Sequence, residues 1–380
     1  MRYIGIQHRV KTTAAGEGHP TRVAIIEGKK TSTKELKEEA DELSFILSLQ
    51  KDDIVGMILG GSGDYLAYAA HAKAKEVGAY VYRLPTYMLK QCRDDNEAYK
   101  EVFNKPISKQ KDGDHILLAQ LVKHEPERFY PLAETDASLI MVRVAWRNLW
   151  EAMQARMAAE QRFWQNFIGR TFTALDGLYP DGGLEQAFKL AKSNAPILAA
   201  LKAEEAELEK ALKRALAKTA VYNELFIPLP GVGPKIAGRI VSAIIDVRRF
   251  RTAPKLKAFM GVHVLADGSF PRQRRGQVAN WHGDARQALF LLGDQFNRRP
   301  ESHWGQYLRE MKRRLRVKHP EPVMVNRGTE EKPRMVKCYT DGHIHKMATW
   351  RTLTRFVEWL YSEWTALEGD AYEEPKKLAA

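Results

Sequence analysis

The chain has 380 residues, 44% hydrophobic and 28% charged, which suits two or three globular domains and argues against disorder. It lacks an apolar run approaching the ~20 residues of a membrane span, lacks a basic-then-apolar leader, and has only Cys92 and Cys338; membrane, exported and disulfide- or four-cysteine-zinc-based classes are disfavoured, and a cytoplasmic location is expected. The net charge is +13, and residues 231–330 carry 20 Lys/Arg against 8 Asp/Glu, so an excess of 12 lies in one stretch, the footprint of a polyanion held by its phosphates.

Residues 1–132 read as alternating strands and helices. Strands are expected at 3–6, 23–26, Ile54–Leu59 and 79–82, with a helix over Asp64–Val77 stopped by Gly78. Strand, helix, strand at that spacing implies a parallel pair and an α/β domain.

The texture then changes to long helices. Over 137–169, Trp146, Leu149, Trp150, Met153, Met157, Phe163, Trp164 and Phe167 recur at helical spacing, and Tyr-Pro-Asp-Gly-Gly at 179–183 breaks the pattern. A second helical stretch, 184–220, contains AEEAELEKALKRALAK, with apolar residues near heptad spacing and alternating charge. The region 138–225 is therefore expected to form a long antiparallel hairpin or coiled coil, a spacer or a dimerising arm.

The next segment, LPGVGPKIAGRIVSAI, is the sharpest local signal. Gly231 and Gly233 make a tight turn at a helix start, where backbone N–H groups and the helix dipole attract phosphate, with Lys235 and Arg239 adding charge. This is a helix-hairpin-helix pattern. Downstream stand Arg248, Arg249, Arg251, Lys255 and Lys257, then Arg272, Gln273, Arg274 and Arg275 on a loop, then Trp281, His282 and Arg286. Arginine forks suit phosphates and guanine edges, and Trp281 and His282 suit stacking on an unpaired base. Lys312, Arg313 and Arg314 extend the basic set. Residues 320–338 read as loop, and 349–367 as a closing amphipathic helix with Phe356, Trp359, Leu360 and Trp364. Cys338, His343 and His345 have no fourth zinc ligand in view and read as ordinary packing.

Residues 230–293 resemble the C-terminal domain of the bridge-RNA-guided insertion-sequence transposases of the DEDD type, through the Pro-Gly-x-Gly-Pro turn, the Arg-Phe step, the serine-bearing loop and the arginine-rich turn ending in glycine. The stretch is also similar in plan to the Nop domains of box C/D ribonucleoproteins. The helical hairpin and the tail at 339–347 match the transposase pattern. The resemblance implies α/β plus α architecture: a degenerate RuvC-like (RNase H-like) domain at 1–132, the hairpin at 138–225, a helix-hairpin-helix, Nop-like domain at 226–318 and an extension at 319–380.

That family holds divalent metal on four carboxylates, since such hard cations take oxygen ligands. Their positions here fall on Gln7, Gly60, Lys111 and Asp114, so three of four are lost. Asp64, Asp112 and Asp114 remain as an alternative acidic set, beside a repelling lysine. Ser269 aligns with the family's nucleophile on DNA, which needs an activating site that this chain has lost. The reading closest to these residues is a nuclease-lacking TIGR-associated (Tas) protein, prokaryotic or phage-encoded, that binds a structured guide RNA and recognises target DNA as a homodimer, with no membrane and no cofactor. The alternative is a transposase or recombinase using Ser269 with Mg²⁺; a DNA-binding helix-hairpin-helix protein without RNA comes third.

Overall fold

The computed structural model describes residues 1–10, 18–60, 63–95, 113–174, 183–266, 268–273, 279–326 and 332–370. The front of the chain builds a six-stranded mixed sheet in the order β3-β2-β1-β4-β5-β6. Its strands are β1 (Tyr3–Gln7), β2 (Thr21–Glu27), β3 (Lys30–Leu36), β4 (Ile54–Leu59), β5 (Tyr80–Pro85) and β6 (Tyr130–Pro131). β1 runs parallel to β4 and β4 to β5, whereas β1–β2, β2–β3 and β5–β6 are antiparallel. The strand–helix–strand reading of Ile54–Leu59, Asp64–Val77 and the next strand is thus realised.

Alternation sorts the side chains between two layers. Ile4, Ile6, Val55 and Met57 point to the face covered by α1 (Glu39–Leu47) and α2 (Asp64–Val77), against Phe45, Ile46, Leu66 and Ala70. Ile54, Tyr82 and Leu84 point to the other face and meet Leu117, Leu118 and Leu121 of α4 (Asp114–His124). α3 (Thr86–Asp95) follows β5 directly. β3 is exposed at every residue but Leu36, so no apolar signal marked it in the sequence.

α5 (Glu134–Phe172) leaves this lobe as a single helix of 39 residues. The helical stretch expected over 184–220 is two helices, α6 (Leu184–Ser193) and α7 (Pro196–Leu216), because Pro196 cannot continue a helix but sits well at its first turn. α7 packs antiparallel on α5, with Arg156 donating to Glu205 at 2.6 Å and Phe163 against Ala195 and Leu198.

A π-helical turn (Val221–Phe226) leads into the last module: α8 (Pro234–Ile244), α9 (Ala253–Phe259), α10 (Gly283–Arg298), α11 (His303–Lys318) and α12 (Asp341–Asp370). α8 buries Ala237, Ile240, Val241 and Ile244, and α12 buries Phe356, Val357, Leu360 and Trp364 in the same core. The 320–338 stretch, read as loop, contains a two-stranded ribbon, β7 (Val323–Asn326) with β8 (Met335–Cys338). The closing helix starts eight residues earlier than expected, at Asp341, and packs along α9 and α11. Among the described residues, no helix is long and apolar enough to cross a membrane.

Candidate functional site

The expected carboxylate positions lie at the ends of β1 and β4 and the start of α4, but their chemistry is not that of a metal site. Gln7 ends β1, buried, with its Nε2 3.4 Å from the Nε2 of His19. Gly60 follows β4 with φ +84°, a conformation that L side chains rarely adopt. A Cβ there would lie 2.5 Å from Nε of Arg249, so the guanidinium of the C-terminal module fills the space into which a glutamate would project. Asp114 pairs with Arg93 at 2.6 Å. Lys111, like Asp112, falls outside the described residues.

Asp64, the remaining acid of the alternative set, heads α2 at 1% exposure and is clasped by Arg83 of β5 on one oxygen and by Arg143 of α5, at 2.8 Å, on the other. An oxygen already bonded to guanidinium groups is a poor Mg²⁺ ligand, and the surrounding positive charge repels the ion. These residues do not fit the divalent metal that the resemblance implies. No cluster of three or more His, Cys, Asp or Glu suited to a metal ion occurs among the described residues.

Arg249 belongs to a charge network that joins the sheet lobe to the basic module. Its Nη1 donates to the carbonyls of Ala243 and Ile244 at 3.2 and 2.9 Å. Burial lowers its pKa from the usual arginine value, Arg143 and Arg83 push the same way, and Asp64 and Asp246 pull against them. Beside it, Arg248 donates to Asp246 at 2.6 Å and to Asp136 at 2.5 Å, and lies 4.0 Å from Glu368. Burial opposes the Arg248 charge, but the bonds and charges of Asp246, Asp136 and Glu368 raise its pKa on balance. Glu368 is pushed up to about 7, by burial first and then by Asp246, with Arg248 pulling the other way.

The cations nominated for nucleic acid divide sharply by location. Lys235 is held by Glu205 at 3.1 Å and Glu209 at 2.9 Å of α7. Arg239, 3% exposed, bonds Asp284 and Gln287 at 2.9 and 2.5 Å and stacks 4.5 Å over the Trp150 ring. Arg248 and Arg249 are internal, as described, and Lys257 pairs with Glu358 of α12 at 2.5 Å. Arg286 lies between the rings of Trp281 and Trp350, at 4.4 and 4.9 Å, and donates to the Pro271 carbonyl at 2.7 Å, so it supports the base of the arginine-rich loop. Lys312 reaches Asn297 at 3.1 Å.

Facing solvent are Arg251, Lys255, Arg272, Gln273, Arg313 and Arg314. Arg313 and Arg314 share one carboxylate, Glu310, at 2.8 and 2.7 Å, and their bonds hold its pKa down to about 2. Two guanidiniums on one acid leave net positive charge on an exposed helix face. Arg274 and Arg275 lie outside the described residues. The turn at Gly231 has φ +80°, and a Cβ there would lie 2.1 Å from Cζ of Arg299. Arg299 thus covers the turn, a cation whose position in the sequence, at the far end of α10, gave no sign of it. Gly233 caps α8.

His282 caps α10, its Nδ1 accepting from the Ala285 N–H at 3.3 Å, and partial burial lowers its pKa against the pull of Asp284, helped by Arg249, Arg143 and Arg239. Ser269 sits in a tight loop in which its carbonyl accepts from the Leu265 N–H at 2.9 Å. His343 accepts from the Tyr339 N–H at 2.9 Å, and Cys338 is buried.

The polar residues gathered between lobes hold the molecule together, while the solvent-facing cations lie just before α9, on α9, on α11 and on the loop before α10. Residues 223–307, which span α8 to the start of α11, match the family model described as Transposase IS116/IS110/IS902 family. No curated protein and no solved structure matches the chain.

Proposed function

We propose that this chain is a transposase-related nucleic-acid-binding protein that grips a polynucleotide through its basic C-terminal module and does not cut it through the sheet lobe. The family match over 223–307 supports the transposase relationship, and with it DNA as a partner. The observation that carries the non-cutting part is the guanidinium of Arg249 in the space beside Gly60, where a metal-binding carboxylate would have to stand. The finer reading is a guide-RNA-binding protein akin to the TIGR-associated proteins, with a degenerate RuvC-like front domain, a Nop-like basic domain and a homodimeric assembly. Base pairing would then read the target, while the protein holds the heteroduplex by shape and backbone.

The alternative, an insertion-sequence recombinase with Ser269 as nucleophile, draws more directly on the family match itself. Purification with bound nucleic acid, followed by nuclease digestion, separates the two. Copurified polynucleotide removed by RNase but not DNase supports the guide-RNA reading. Magnesium-dependent strand cleavage that vanishes in Ser269→Ala supports the recombinase and removes the non-cutting proposal.

A further inference from the structure

Beside the vacated pocket, and outside the basic module, α2 and α5 enclose an open groove of about 490 Å³. Tyr65 and Tyr68, three residues apart and so on one face of α2, wall it at 42% and 37% exposure. Its floor is Ile140, Met141 and Val144, and Arg147, Asn148 and Glu151 of α5 stand at its polar rim. Met141 is itself 41% exposed, so this apolar floor is open to water in the isolated chain.

We infer that this groove seats an unpaired base of single-stranded DNA, stacked on the tyrosines. The inference rests on the nucleic-acid reading above and adds a second contact site, on the sheet lobe, to that of the basic module. Half-exposed tyrosines offer rigid π-faces to any base without demanding a sequence, and such stacking contributes about 1–3 kcal/mol per base. Asn148 carries both a donor and an acceptor, as a base edge requires. Arg147, bonded to the Tyr65 hydroxyl and Glu151, and Arg143, bonded to Asp64, the residue before Tyr65, stand four residues apart on one side of α5, about 6 Å of helix rise. A strand with its base in the groove would run its phosphates along these two arginines of α5. DNA rather than RNA is chosen because the family matched over 223–307 is a transposase family.

The test is fluorescence anisotropy of the full chain with a labelled oligo-dT, an abasic strand of equal length, oligo-U and a DNA duplex. The wild type is expected to bind oligo-dT at least tenfold more tightly than the abasic strand. Tyr65→Ala with Tyr68→Ala should abolish that difference and leave duplex binding unchanged, and Tyr65→Phe with Tyr68→Phe should retain it. Loss in the Phe pair would show a hydroxyl contact rather than stacking and would overturn the assignment, as would an Ala pair that binds like the wild type. A preference for oligo-U over oligo-dT would overturn the choice of DNA. Should the Ala pair not fold, photocrosslinking of bromodeoxyuridine oligonucleotides to the wild-type chain decides: crosslinks on the peptide holding Tyr65 and Tyr68 support the site, and crosslinks confined elsewhere exclude it. Duplex binding without any preference for dT over the abasic strand removes this site alone, whereas a chain that binds none of the four removes the proposed function as well.

Discussion

Asp64 shows how one residue type can carry opposite meanings. In a metal cluster a carboxylate stands among others that repel it, so its removal tends to relieve strain in the empty protein. Here Asp64 is the shared partner of buried Arg83 and of Arg143. Asp64→Asn should therefore destabilise the chain by about 3 kcal/mol or more, because it leaves buried guanidinium charge uncompensated. Thermal unfolding measures this; a gain in stability would contradict the clasp. Gly60→Glu should also destabilise, through its positive φ and the Cβ meeting Arg249, by about 1–3 kcal/mol. Neither it nor Gln7→Asp should produce Mg²⁺-dependent cleavage, and a nicking activity in either would overturn that view of the pocket. Glu368 gives a pH signature. Its folded pKa of about 7 lies above its ordinary value of 4.5, so between those values the native state keeps a proton that the unfolded chain has released. Its stabilising share is whole below pH 4.5 and falls by about 3 kcal/mol as pH rises to 7. Glu368→Gln should flatten denaturant-derived stability across that window and raise it at neutral pH. That Gln7 and Gly60 carry no carboxylate was visible in the sequence; that Arg249, nearly two hundred residues away, fills the space at Gly60 was not, since no local pattern marks a contact between such distant positions.

Elements with strong local signals formed as their sequences imply, and those without were missed. β4 and α2 were legible because a short apolar run and a helix ending in Gly78 leave little choice. β3 has six exposed residues in seven and is held by pairing with β2. The β7–β8 ribbon was hidden for the same reason, its side chains being mostly exposed. For the basic helices the sequence supplied the charge but not its direction. α8 turns Arg239 inward onto Trp150, whereas α11 turns Arg313 and Arg314 outward. The two classes should respond differently. Arg313→Ala with Arg314→Ala should weaken polynucleotide binding and reduce the salt slope by up to about 0.9 per lost phosphate contact on duplex, with little change in melting temperature. Arg239→Ala should lower the melting temperature first, because Asp284 and the Trp150 face lose their partner. Equal salt slopes in wild type and the Arg313/Arg314 variant would remove α11 from the interface.

At the scale of the whole molecule, one apolar cluster runs from the sheet lobe through α5 and α8 to α12. The charge network of Arg248, Asp246, Asp136 and Glu368 joins the same parts by polar contacts. The C-terminal helix, in the sequence a mere amphipathic tail, is thus built into both the basic module and the junction. Lobes so joined set the Arg249 guanidinium against Gly60 and leave the cations of α9 and α11 facing solvent. The most direct measurement is denaturing electrophoresis of end-labelled DNA and structured RNA after incubation with the purified chain, at protein concentrations that give full binding, with Mg²⁺ and with chelator. Bound, intact strands are expected under both conditions. Strand breaks that appear only with Mg²⁺ and disappear in Asp64→Asn would contradict the non-cutting proposal.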